Sequence, residues 1–209
     1  MQAKHERTHP RITRKSSLCS PQPVQAVDVI LAISKLKNTK STGHDQINLQ
    51  HIKESLMVTI LYITLIINIS IVTKVFLKPW KRSIIIPIHK SGDIEEPTNF
   101  GQINLLSILS KILEKVISTQ LTEYLENNNL LNESQYAYRN NSSTEQALVN
   151  VTEQIYKSID KGQISLLVLL DLSKAFDTVN HDLLLNKLVQ LNIDRTWGSK
   201  VICMIGHIQ

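Results

Sequence analysis

Asp171 stands at the end of an uncharged run, Ile164 to Leu170, in which only Ser165 is polar. A short apolar stretch without polar alternation, opening after Gly162, reads as a strand buried on both faces. An aspartate delivered at the C-terminal end of such a strand is held rigidly enough to ligate a hard divalent cation such as Mg²⁺ through oxygen. The same residue could instead cap a following helix through the amides of Ser173 and Lys174, which is the commoner task for an aspartate in that place. Spacing alone leaves both open, and Asp177, six residues on, need not face the same way. Phe176 between them has core packing as its plainest reading, because a helical aromatic is usually buried. Cys19 and Cys203 are far apart and support neither a disulfide framework nor a zinc site.

The elements that must position Asp171 can be read from periodicity. A run with Val24, Val27, Ile30, Leu31 and Leu36 at helical spacing follows Ser20-Pro21-Gln22-Pro23. It ends in the loop Lys40 to Asp45, where Gly43 permits a tight reversal. A short helix near Asn48 to Leu56 and a long apolar helix to about Val75 come next. Ser83 to Ile88 is β-branched and bounded by turn residues, as a strand is, with Pro87 at an edge. The most regular stretch runs from Leu105 to about Glu126, where Leu106, Leu109, Ile112, Leu113, Val116, Ile117, Leu121 and Leu125 recur at three and four. Ser142-Ser143-Thr144-Glu145 reads as a capping box for a helix burying Ala147, Leu148, Val151, Ile155 and Ile159 and stopping at Gly162. A last helix is expected over roughly Ala175 to Leu191, through Phe176, Val179, Leu183, Leu184 and Leu188.

Composition bounds the class. The 209 residues are 42% hydrophobic, with few aromatics and six glycines, which fits a helix-rich globular chain rather than a turn-rich β-sandwich. The net charge of +5 favours an anionic partner such as nucleic acid, although Lys4, Arg7, Arg11, Arg14 and Lys15 place part of it in a basic tail. No apolar segment follows those basic residues, so a secretory signal is not expected, and an intracellular location in cytoplasm or nucleus is. Leu56 to Val72 approaches the length of a membrane span, but Thr59, Thr64, Asn68 and Ser70 within it favour a buried helix, and no membrane partner is expected.

The residues around the aspartate add a family. Leu170-Asp171-Leu172-Ser173-Lys174-Ala175-Phe176-Asp177-Thr178-Val179-Asn180-His181 resembles the first catalytic motif of non-LTR (LINE-type, jockey-like) retrotransposon reverse transcriptases, LDLSKAFDxVxH. Upstream words keep the family order. Trp80-Lys81 and Pro87 to Asp93 resemble WKxAxIxPIxKxGD, Asn99 to Leu106 sits where the family has NYRPISLL, and Gln135 to Arg139 where it has QxGFR. Lys40 to Asp45 resembles KSPGPDG, so the likeness covers the chain from about residue 20 onward.

The resemblance implies an α+β, helix-rich chain forming the fingers and the beginning of the palm of a right-hand polymerase, left incomplete. Residues 1–20 would be a disordered basic tail, 21–78 a helical region preceding and joining the fingers, and 79–209 the N-terminal part of the reverse transcriptase domain. It implies Asp171 as catalytic residue and first Mg²⁺ ligand, Phe176 under the sugar of the incoming deoxynucleotide, and Lys90 on its triphosphate. Lys81, Arg82 and Arg139 would meet nucleic acid, with RNA template, DNA primer and deoxynucleotide triphosphates as partners. Departures are visible: the family arginine of NYRPISLL is Gly101 here, and no glycine replaces a guanidinium fork. The family's PQGSxLGP and YxDD words, which bring further carboxylates, do not occur in the 209 residues, so this chain alone is expected to lack polymerase activity. The alternative is a non-catalytic helical nucleic-acid-binding remnant using Lys78, Lys81, Arg82, Lys90 and Arg139 on phosphates, with strong salt dependence.

Overall fold

A computed structural model describes residues 18–39, 41–172, 175 and 178–198. They group into two units, one made of the residues up to Tyr124 together with those from Val179 on, the other of Leu125 to Thr178.

The first unit begins with α1 (Ala26–Ser34), whose N-cap Gln25 takes its own amide to the Asp28 carboxylate at 2.8 Å. Its buried face is Val29, Ala32 and Ile33, whereas Val27, Ile30 and Leu31 are exposed, so the inward stripe is rotated from the expected one. Asn48 caps α2 (Leu49–Glu54) by accepting from the His51 amide at 2.9 Å, where the sequence places a short helix. Helix α3 (Leu56–Thr73) is the one helix among the described residues long and apolar enough to cross a membrane. It buries Ile60, Ile63, Ile67 and Ile71 on one side and exposes Met57, Val58, Leu61, Leu65 and Val72 on the other. Asn68 ties it to the chain before α1, its carboxamide accepting from the Val24 amide and donating to the Val24 carbonyl, both at 2.8 Å. Such two-way pairing satisfies four polar groups at once in a partly buried place.

After Trp80, packed edge-on against Phe76, the strands β1 (Ser83–His89) and β2 (Phe100–Leu106) form an antiparallel pair in which Ser83 faces Leu106 and His89 faces Phe100. Both strands are edges, which is why Pro87 is tolerated without an amide proton. Strand β2 corrects the expectation that helix begins at Leu105. Its sequence, Phe100-Gly101-Gln102-Ile103, carries little strand signal of its own, and cross-strand pairing with the isoleucines of β1 supplies the rest. Helix α4 (Ile108–Asn127) then buries Ile112, Leu113, Val116 and Ile117, as its periodicity requires. With Val29, Ile33, Ile67, Trp80, Ile193 and Trp197 these residues make the buried interior of the unit.

In the second unit, α5 (Thr144–Asp160) starts one residue later than the capping words suggest: Ser143 is the cap and Gln146 the reciprocal partner. Gly162, at φ 67°, ends it as expected. No residue of α5 is buried, and Leu148 and Ile159 are exposed, contrary to the packed face read from its spacing. The expected strand over Ile164 to Leu170 is also absent from the described residues. That stretch has no regular structure and is exposed throughout, Ile164 by 99% and Leu170 by 90%. A strand is a pairing, and none of the described segments pairs with it. Helix α6 (His181–Gln190) belongs to the first unit and starts six residues later than expected, with no buried residue of its own.

Candidate functional site

Asp171 lies in the second unit, at the end of the apolar stretch, with its side chain open to solvent. One carboxylate oxygen accepts the Leu172 amide at 2.9 Å, a bond to the backbone of the next residue. The amides of Ser173 and Lys174, through which a helix cap by Asp171 was the alternative, lie outside the described residues, and α6 is capped by Asn180, whose side-chain oxygen accepts the Leu183 amide at 3.1 Å. Ser173, Lys174, Phe176 and Asp177 lie outside the described residues, and with them the expected place of Phe176 under a sugar. Among the described residues no three His, Cys, Asp or Glu side chains converge as a metal centre would need. Asp171 still fits part of one: Mg²⁺ commonly takes one or two protein carboxylates and fills its octahedron with water and substrate phosphate.

Lys90 sits in the first unit, where its amide donates to the Asn99 carbonyl at 2.9 Å and closes the β1–β2 hairpin. Its side chain folds across onto β2. A Cβ placed on Gly101 would overlap Lys90 Cε and stand 3.1 Å from Nζ, so the space a side chain at 101 would fill is taken by the lysine. Sequence reading registered Gly101 as a lost arginine and missed that a cation lies over the same spot. The signal available was the alternation itself: Ile88 faces Gly101 across the pair, and Lys90 is two residues further on the same side.

Lys81 and Arg82 are exposed together where the turn Lys78–Lys81 runs into β1. Ser83 and His89 mark opposite ends of a seven-residue strand about 20 Å long, and the basic pair and Lys90 lie beyond its two ends. Arg139, in the second unit, spends one guanidinium nitrogen on the Asn132 carbonyl at 3.1 Å, which orders its own loop. The structure thus brings Lys81 and Arg82 together and leaves Lys90 apart from them. The Gly43 loop was read as a reversal and as a family word, and it is also a buried support. A Cβ at Gly43 would stand 2.7 Å from Ser107 N and 2.8 Å from its Cα, so the loop backbone lies directly on the corner between β2 and α4.

Residues 88–208 match the sequence family described as reverse transcriptase (RNA-dependent DNA polymerase). That is more than half of the chain, and it includes Lys90, Gly101, Arg139 and Asp171. The chain belongs to the reverse transcriptase family. This reverse transcriptase chain is 33% identical over 171 residues to a probable RNA-directed DNA polymerase from transposon BS of Drosophila melanogaster, covering 81% of this chain and 19% of the relative. It is 34% identical over 160 residues to a probable RNA-directed DNA polymerase from transposon X-element of the same fly, covering 76% and 18%. To the RNA-directed DNA polymerase from mobile element jockey it is 29% identical over 175 residues, covering 81% and 19%. It therefore spans about a fifth of the length of these curated relatives. The match supports the LINE-type resemblance read from the motif words, and the mixed helix and small sheet described above suits a reverse transcriptase domain.

Proposed function

We propose that this chain contributes the fingers and the first palm segment of an RNA-directed DNA polymerase that copies retrotransposon RNA into DNA. What carries the reading is Asp171: a solvent-facing carboxylate at the end of an apolar run, inside the family-matched stretch, with the helix behind it capped by another residue. In this reading Asp171 is the first oxygen ligand of Mg²⁺. When bound, the metal ions of such an enzyme activate the primer 3′-hydroxyl and stabilise the leaving pyrophosphate. The residues of this chain do the rest. Lys90, laid over Gly101, neutralises triphosphate charge, Phe176 sits under the sugar and excludes a 2′-hydroxyl, and Lys81, Arg82 and Arg139 meet the phosphates of RNA template and DNA primer. The expected basic tail over residues 1–20 is corrected at Cys19, which pairs with Asn192 and Asp194 through its backbone; residues 21–78 act as a helical region joining the fingers, and α3 as a domain helix, which its two-way Asn68 to Val24 pairing supports.

One carboxylate does not hold two cations about 3.5–4 Å apart, so further ligands have to come from residues other than those matched to this motif, and the 209-residue chain alone copies no RNA. Manganese, a paramagnetic stand-in for magnesium, tests the ligand assignment on the chain as it is. Addition of Mn²⁺ should broaden backbone amide signals around Leu170 to Leu172, with Mg²⁺ competing and Asp171→Asn removing the effect. Broadening centred on Asp93 to Glu96 and indifferent to that substitution would contradict the assignment.

A further inference from the structure

Three segments distant in sequence converge on the turn that follows α6. Tyr124 Oη donates to the Leu191 carbonyl at 3.0 Å. The Cys19 amide donates to the Asn192 carbonyl and the Asp194 amide to the Cys19 carbonyl, each at 2.9 Å, making a parallel bridge around Ile193. Lys74, at the left-handed end of α3, places its ammonium 2.8 Å from Asp194 Oδ2 and 3.3 Å from Thr196 Oγ1. The lysine and the Thr196 hydroxyl hold the Asp194 carboxyl down at about 2. Ile193 is the buried plug of this arrangement, and Trp197 is seated beside it in the interior, lining a small space with Phe76, Leu113 and Ile117.

These holds stand where the chain most needs them. Tyr124 is the last residue of the first unit before the excursion Leu125 to Thr178, which carries Asp171, and Val179 is the first residue after it. Helix α6 takes the chain from that return point to the turn. Its ten residues make a rod about 15 Å long. No residue of the rod is fully buried; Leu184, Leu185 and Leu188 are half-buried, with Leu185 and Leu188 against Gly198, and the side-chain and backbone holds from distant segments gather at Leu191 to Asp194.

We propose that Leu191 to Asp194 is a latch that anchors α6 as a lever, with Tyr124, Cys19 and Lys74 as its holds. These are positioning residues: within the first unit they fix the C-terminal end of α6 without touching substrate or metal. The inference rests on the geometry of the first unit and stands independently of the polymerase reading. It also assigns a task to residues 18–80, which lie before the family-matched stretch. They complete the mounting of an element inside it.

Hydrogen–deuterium exchange on the full 209-residue chain tests the latch. In the double variant Tyr124→Phe, Lys74→Met, protection of the α6 amides from Leu183 to Gln190 should fall about tenfold, the combined effect of one hydrogen bond and one partly exposed ion pair. Protection of the α4 amides from Ile112 to Ile117 should stay. Lys74→Arg should restore α6, and Lys157→Gln, which breaks the exposed pair with Glu153 on α5, should leave it alone. Unchanged α6 exchange in the double variant would overturn the proposal. So would equal loss of protection in α4 and α6 in each single variant, since those residues would then hold the whole unit rather than the lever.

Discussion

The side chain of Lys90 lies over the Cα of Gly101, on the strand opposite its own, so that any side chain at 101 would have to displace the lysine stem. The displaced atoms are the far end of a flexible chain, and Gly101 sits in a strand where alanine has the better backbone entropy. Gly101→Ala should therefore change stability by less than about 0.5 kcal/mol in thermal unfolding. A loss of several degrees in Tm would show that the lysine is fixed there by more than packing.

Gly43 makes the contrasting case. The atoms its Cβ would meet, Ser107 N, Ser107 Cα and the Leu106 carbonyl carbon, all belong to backbone at a buried corner. They cannot move aside singly. Gly43→Ala should cost roughly 1–3 kcal/mol, the range of overpacking in a close-packed interior, read as a lowered denaturant midpoint at unchanged slope. A midpoint equal to that of the parent chain would mean that the loop is not seated on Ser107.

Glu114 sets a pH dependence. Burial pushes its carboxyl up to about 7, against the smaller lowering effects of the Ser110 hydroxyl, 3.4 Å away, and the Lys111 charge. The folded state thus holds a proton that the unfolded chain releases near its ordinary value, so stability from this group is greatest below about pH 4.5 and declines as pH rises through 7. The decline is on the order of 3 kcal/mol. Glu114→Gln should flatten that part of the profile and stabilise the chain at pH 8, as followed by chemical denaturation. A parent chain equally stable at pH 5 and pH 8, with no gain from glutamine, would contradict the burial argument.

The exposed run Ile164 to Leu170 is uncharged, apolar but for Ser165 and free of proline, the composition that promotes strand pairing between chains. Val168→Lys should lower light scattering at a given chain concentration. Its far-UV circular dichroism should match the parent, because the residue is already 65% exposed. Scattering that is unchanged would place the sticky surface elsewhere, the open face of α3 being the next to test.

Much of this was legible from periodicity where burial is local and one-sided. The stripe of α4 and the short helix α2 are written in residues that touch each other within a turn or two, although the Asn48 cap of α2 was not read. The rest depends on partners far along the chain. Phe100 to Leu106 becomes a strand through β1, α1 turns a different stripe inward because α3 and the interior decide its rotation, and the latch joins residues 19, 74 and 124 to a single turn. At the candidate site, Asp171 was singled out because motif words mark it. The strand expected before it is not formed because strand identity lies in pairing rather than in composition.

The proposed role of Asp171 is that of a metal-binding carboxylate in a reverse transcriptase. It is tested most directly by primer extension on an RNA template with Mg²⁺, using a chimaera in which residues 88–198 replace the matching stretch of the jockey enzyme. The chimaera should make cDNA, Asp171→Asn should lower its rate by at least about 100-fold, since even residues one step removed from a metal ligand commonly cost 10–100-fold, and Lys157→Gln should leave it unchanged. Synthesis that persists undiminished in the Asp171→Asn chimaera would contradict the account.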